Sequence, residues 1–325
     1  MLLRRIDPVL LALAGAACTS LSAPFVKASG ADAGTAAFLR CALALPPLAL
    51  LTAAELRRVG PRPRRFVGTD AAAGLLLGAD FVLWAASIEA LGAGVATVLL
   101  NVQIIVFPLL ARAASGERTP RGFGFAAAAM LAGLALASGA LAPSGGADAA
   151  LGALFGAGAG TAYAGYLFLS RLGGGRGHTA TPVCTSTAAA AVSAAPVGGL
   201  WTGLNPGALD GPGWAWLTAV ALLGQVLTWL LVGAALPRLA PGVGAAVMVL
   251  PPVMALAVGA VFLGERLSPL QLAGCAVVVG AVWAVERAGR RGAASKGTPG
   301  TPQSRTEEER PGPPGEGPAE VRQEP

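Results

Sequence analysis

Charge is what this sequence has little of. Asp, Glu, Lys and Arg together make up 12% of its 325 residues, about half the share found in soluble domains. Hydrophobic residues make up 54%, and mean hydropathy is +0.64. A soluble chain of this length has no interior large enough to hide so much apolar surface. That sets aside a soluble enzyme or a nucleic-acid binder. Histidine is nearly missing: His178 is the single one, and in a Gly/Arg-rich loop it is expected to be solvated rather than catalytic. The four cysteines, Cys18, Cys41, Cys184 and Cys275, lie far apart with no CxxC pair. They read as small packing residues, not as a metal site or a disulfide framework. The glycine-rich runs lack a Walker lysine or a Rossmann strand context, so they are not phosphate loops. Nothing in the sequence asks for a cofactor or a metal.

What the sequence does have is long apolar runs. Ten can be drawn, at 8–27, 33–54, 69–91, 93–112, 122–142, 149–170, 181–201, 213–236, 242–263 and 268–286. Each is long enough to cross a bilayer as a helix, which takes about 20 residues. The seventh is the weakest, mostly alanine and interrupted by Pro182 and Pro196. After Arg287 the composition turns to Pro, Gly, Glu and Arg, and 288–325 is expected to be a disordered cytoplasmic tail. Arg4 and Arg5 before the first run also fit a secretory signal, but nine further spans follow and an uncleaved first helix is the better reading. Seventeen of the 23 Lys and Arg, including Arg57, Arg58, Arg62, Arg64 and Arg65, fall on one side of this arrangement, against Lys27 and Arg266 on the other. Positive charge marks the cytoplasmic side, which makes this a multi-pass protein of the cell membrane with both termini in the cytoplasm. The basic balance of +6 is then topogenic charge beside an anionic leaflet, not a nucleic-acid patch.

The sequence also repeats itself. Val95, Gly116, Glu117 and Arg118 recur 148 residues later as Val243, Gly264, Glu265 and Arg266. Upstream, Asp80-Phe-Val-Leu-Trp84 matches Gln225-Val-Leu-Thr-Trp229 at an offset of 145, the difference being placed in a longer loop around Pro237 to Leu239. Two repeats of five spans follow, 1–144 and 145–287. An odd number of spans per repeat makes the second enter the membrane in the opposite sense. The expected fold is an all-α integral membrane protein of ten transmembrane helices in two inverted-topology five-helix repeats, the architecture of many secondary transporters.

The ten spans, the paired Gly-Glu-Arg after the fourth and ninth, and Arg40 in the second resemble the drug/metabolite transporter superfamily, EamA type. The resemblance covers nearly all of 1–287. It implies a ten-helix carrier, proton- or gradient-coupled, that often exports amino acids or other metabolites. There is one departure. The family often has a proline in the fourth span, where this chain has Asn101-Val102-Gln103; the ninth keeps it as Pro251-Pro252. The two halves then need not gate alike.

Ionisable groups inside a bilayer cost a few kcal/mol or more and usually face a cavity. Asp80 sits mid-span with Trp84 one turn along the same face, and the repeat places Gln225 and Trp229 opposite them. Two polar groups and two indoles suit a small polar solute with an apolar or cationic part. The plainer reading pairs Asp80 with Arg40 as a helix tie. Arg40 itself could bind a substrate carboxylate, neutralise Asp80 or snorkel outward; a cavity-facing charge is favoured. Asn101 and Gln103 serve either the site or interhelical hydrogen bonds. Pro251 and Pro252 should kink the ninth span and free carbonyls for gating. Gly152, Gly156, Gly160 and Ala164 form a small-residue packing stripe, and Tyr163 and Tyr166, off that stripe, could reach the cavity.

The function expected is secondary transport, the efflux of a small metabolite such as an amino acid or amphiphilic amine by alternating access, coupled to protons or to another gradient, with the protein acting as a monomer or homodimer. An intramembrane enzyme would need catalytic groups gathered at one depth, and the sequence offers only scattered singles. A non-transporting scaffold or sensor working through its C-terminal tail is the alternative.

Overall fold

The computed structural model describes residues 6–116, 123–137, 147–173, 177–235, 250–264 and 266–296. Ten helical rods run through them. They are α1 (Pro8–Ala28), α2 (Ala33–Val59), α3 (Arg64–Leu91), α4 (Ala93–Leu99, a 3-10 turn at Leu100–Val102, then Gln103–Ser115), α5 (Phe123–Ala137), α6 (Ala147–Gly173), α7 (Ala180–Trp201), α8 (Gly211–Ala219, a π-helical stretch at Val220–Leu227, then Thr228–Ala235), α9 (Leu250–Phe262) and α10 (Pro269–Lys296). In lipid every backbone N–H and C=O must find its partner inside the chain, and a helix does that within one segment. Six rods are long and apolar enough to cross a membrane by composition alone: α1, α2, α3, α4, α7 and α8. Glycine dilutes α6, and the apolar stretches of α5 and α10 are shorter. The chain is an all-α, multi-pass membrane protein.

Several helix ends differ from the apolar runs. α2 continues to Val59 through Arg57 and Arg58, α3 starts at Arg64, and α10 continues to Lys296. Charge ends an apolar run but not a helix, which projects into the headgroup layer where arginine is solvated. The tail boundary drawn at 288 therefore falls inside α10, and 297–325 lie outside the described residues, as do the repeat boundary at 144/145 and Glu117, Arg118, Val243 and Glu265. Despite Pro182 and Pro196, α7 forms 22 residues of helix.

The second rods of the two halves, α2 and α7, lie antiparallel. At the start of α2, a Cβ on Gly34 would collide with the backbone of Gly198 and the carbonyl of Gly203 at the end of α7. At the other end of α2, Glu55 meets the start of α7 (described below). Equivalent helices of two repeats running in opposite directions are what inverted topology requires. α3 packs against α6 and α7, α5 against α10, and α1 against α8 and α9. Small residues permit these close approaches: Gly74 abuts Ser186, and Gly78 abuts Ala190 and Ser193. The stripe on α6 packs likewise. Gly152 faces Ala90 and Leu91, Gly156 faces Ser87 and Leu99, and Gly160 faces the Leu100 carbonyl.

One end of the bundle is held by charge. Glu55 accepts hydrogen bonds from the backbone N–H of Thr179 (2.6 Å), Ala180 (3.0 Å) and Thr181 (2.7 Å) and from the Thr181 hydroxyl. It caps the N-terminus of α7 from another helix and answers its dipole. Nearby, Arg62 donates from Nε to Asp70 (2.6 Å) and from Nη2 to Asp70 (2.9 Å) and the Gly173 carbonyl (2.9 Å). Arg62 is 7% exposed, so it is a buried ion-pair member and not the free topogenic charge expected. His178, expected to be solvated, is half-buried with Nε2 2.9 Å from the Gly60 carbonyl.

Candidate functional site

Between the halves lies a cavity of about 310 Å³, near the lower end of small-molecule pockets. The first half contributes Thr19 and Ser22 of α1, Arg40 of α2, Asp80, Phe81 and Trp84 of α3, and Asn101 and Gln103 at the 3-10 turn of α4. The second contributes Tyr163 of α6, Gln225 and Trp229 of α8, and Pro251 of α9. Residues 145 positions apart in sequence, Asp80 with Gln225 and Trp84 with Trp229, thus share one hollow.

Two departures from α-helix shape its walls. The 3-10 turn at Leu100–Val102 breaks α4 where the cavity meets it. There the Asn101 amide donates to the carbonyls of Thr97 (3.2 Å) and Val98 (3.0 Å); of the two roles expected for it, the site or interhelical bonding, Asn101 lies in the cavity lining and its bonds are intrahelical. In α8 the π-helical stretch carries Gln225. Such single-turn bulges widen a helix and re-aim its side chains. The Thr228 hydroxyl reaches back to the Leu223 carbonyl at 2.9 Å, and Gly224 lets the bulge press against Ser22.

The site is rich in unanswered polar atoms. Asp80 is 3% exposed and its Oδ1 has no hydrogen-bond partner; the same holds for Trp84 Nε1, Gln103 Oε1, Ser22 Oγ and Arg40 Nε. Arg62 and Asp70 form an ion pair; Arg40 and Asp80 face one cavity without forming one. Arg40 instead rests on aromatic faces, its guanidinium carbon 3.9 Å from the Phe81 ring centre and 5.5 Å from that of Trp84. It donates one long hydrogen bond, Nη2 to Gln225 Oε1 at 3.5 Å. Gln225 Nε2 in turn donates to Thr187 Oγ1 at 3.0 Å.

Tyr163 and Tyr166 part company. Tyr163 lines the cavity, whereas Tyr166 is 4% exposed and packs behind it, stacked on Tyr163 at 5.7 Å and edge-on to Trp229 at 6.1 Å. It supports the wall and is not part of it. Pro251 is in the lining; the side chain of Pro252 and residues 236–249, and with them the expected kink, lie outside the described residues. Thr19, Ser22, Phe81 and Thr187 were not singled out from sequence. The signal for the first two is weak: a Thr and a Ser at helical spacing in an apolar span.

Comparison with known proteins agrees with this architecture. The model of the EamA-like transporter family matches twice, over residues 8–139 and 150–286, which is the duplication seen in sequence and in the antiparallel pairing of α2 with α7. A solved crystal structure of a protein 19% identical to this chain is similar in fold, with a TM-score of 0.58 over 87% of this chain and 98% of its own. No curated protein matches. Two family matches covering most of the chain, laid over ten helical rods around a shared cavity, establish that this chain belongs to the EamA-like transporter family.

Proposed function

We propose that the chain is a secondary active transporter that exports a small metabolite, an amino acid or an amphiphilic amine, across the cell membrane by alternating access. One observation carries this reading: both repeats line one cavity that holds a buried carboxyl group, Asp80, and a buried guanidinium, Arg40, which do not form an ion pair with each other. Buried charge is costly in a bilayer, and leaving it unanswered makes sense where a ligand or a proton supplies the partner. The two halves can rock about that centre, with the 3-10 turn of α4 and the π stretch of α8 as yielding points in its walls. Both termini and the Arg62 end face the cytoplasm, in keeping with the distribution of Lys and Arg.

Asp80 is the proton-coupling or substrate-contacting group. The test is flux in proteoliposomes under an imposed pH gradient, across a panel of amino acids and amines. Wild-type protein gives gradient-dependent flux of at least one member. Asp80→Asn is expected to reduce that flux to background while the purified protein stays monodisperse and helical. Undiminished coupled transport by Asp80→Asn overturns the assignment.

A further inference from the structure

We propose that Ser22, Arg40 and Trp84 form a binding site for chloride, a single small anion that serves as counter-ion to the Arg40 guanidinium. The site lies in the cavity described above and needs nothing from the carrier reading. Three side chains of the lining, on three helices, have donors that find no acceptor among the described residues: Ser22 Oγ on α1, Arg40 Nε on α2 and Trp84 Nε1 on α3. The three residues are 4%, 6% and 7% exposed. A buried donor left unmet costs free energy, and three around one hollow point to a shared acceptor.

The packing brings these donors together. Gly224 of the π stretch puts no side chain between Ser22 and Arg40: a Cβ there would collide with Ser22 Oγ and lie 3.7 Å from Arg40 Nη2. The guanidinium carbon lies 5.5 Å from the Trp84 ring centre and 3.9 Å from that of Phe81. Phe81 fixes the guanidinium, but a ring face offsets less than the desolvation of a buried ion costs. The long bond to Gln225 Oε1 brings no negative charge. Arg40 is the one cation in the described lining and forms no ion pair with Asp80, so a single negative charge balances it.

The donors also select the kind of anion. They belong to three separate side chains, which suits a spherical acceptor with no fixed lone-pair directions. A carboxylate takes two parallel bonds from one guanidinium fork, and Arg40 already commits Nη2 to Gln225. Divalent sulfate brings more charge than one guanidinium answers. The unmet acceptors of the lining, Asp80 Oδ1 and Gln103 Oε1, repel an anion and stand outside its shell. They are left to the proton or solute of the carrier reading.

The thermal midpoint of the full chain in lipid nanodiscs tests this, with chloride, acetate or sulfate replacing gluconate at constant ionic strength. A ligand of the folded state raises the midpoint once its concentration passes the dissociation constant. Chloride should raise it, and acetate and sulfate should need at least about tenfold more for the same rise. Ser22→Ala and Trp84→Phe each remove one donor and should increase the chloride needed by about fivefold; Arg40→Gln should abolish the response. Asp80→Asn should leave the chloride requirement unchanged or lower it, because the carboxyl gives the anion no donor. The site is overturned by the lack of a chloride response, by equal responses to acetate or sulfate, or by a chloride response that survives Arg40→Gln. A response unchanged in both Ser22→Ala and Trp84→Phe overturns it as well. So does an Asp80→Asn variant that needs more chloride, since the carboxyl then belongs to the ligand's shell, as it does for a cation or zwitterion. Flux plays no part in the readout, so failure here leaves the carrier reading standing, and loss of flux leaves this site standing.

Discussion

The α2–α7 pair is bound at both ends, and the two ends use different chemistry. At the Arg62 end the contacts are ionic: Glu55 of α2 caps the N-terminus of α7, and beside the pair Arg62 ties Asp70 of α3 to the last carbonyl of α6. At the Asp32 end they are neutral. The Gly34 N–H donates to the Thr202 hydroxyl (2.8 Å), and the Asn205 N–H donates to the Thr35 hydroxyl (2.8 Å), while the helices touch backbone to backbone at Gly34 and Gly198. Inverted repeats place matching helices at both faces, yet they do not make the faces equivalent. The charged end has strong, directional ties that cost much to leave half-made. The neutral end depends on close packing with weaker bonds around it. Under the alternating-access mechanism proposed above, the difference predicts unequal barriers for the two openings.

The comparison is broken most directly at Asp70. Asp70→Asn keeps the shape and leaves the Arg62 guanidinium buried without a counter-charge, which should cost about 3 kcal/mol. It should appear as the largest fall in the thermal midpoint of detergent-solubilised protein. Arg62→Met combined with Asp70→Leu should cost less than Asp70→Asn alone, because no charge is then stranded. A double variant as unstable as the single would show that the tie does not depend on charge. Glu55→Gln comes next. The amide keeps an acceptor for the α7 N–H groups and loses the charge that answers the helix dipole, for about 1 kcal/mol. A drop larger than that of Asp70→Asn would reverse the ranking within the charged end.

How much of this could be read in advance follows from what each feature depends on. The rods announce themselves because a membrane span needs about 20 apolar residues in a row, and a run that long is visible locally. Helix ends are not, since Arg57, Arg58 and Arg287 follow the end of an apolar run and still lie within helix. In sequence Arg62 reads only as one of the cytoplasmic-side charges and Glu55 carries no signal, because their partners are distant: Gly173 lies 111 residues from Arg62, and Thr179 lies 124 from Glu55. In the cavity, Asp80, Trp84, Gln225 and Trp229 stood out through the repeat, and Arg40 through being a charge inside a span. Thr187 did not, because a buried hydroxyl in an alanine-rich helix carries no mark until its neighbour across the interface is known. Nor did the π stretch at Val220–Leu227, whose sequence has the same apolar character as the α-helix on either side.

The smallest effect belongs to the neutral end, and it shows whether packing or bonding holds that face. Thr202→Val removes the acceptor for the Gly34 N–H and leaves Gly34, Gly198 and Gly203 in contact. One unpaired backbone donor costs about 1 kcal/mol, and the van der Waals contact between the helices is untouched, so the thermal midpoint should fall less than in either charged-end variant. Thr202→Ser, which keeps the hydroxyl, should match wild-type protein. If instead Thr202→Val destabilises as much as Asp70→Asn, the hydroxyl bonds and not the glycine contact hold the Asp32 end, and the two faces differ in the sign of their contacts but not in their strength. Gradient-driven flux in the same variants separates the two cases further. A face held mainly by packing should open as readily in Thr202→Val as in wild-type protein, leaving the rate unchanged within about twofold, since the loss of a bond worth about 1 kcal/mol could otherwise speed its opening by roughly fivefold.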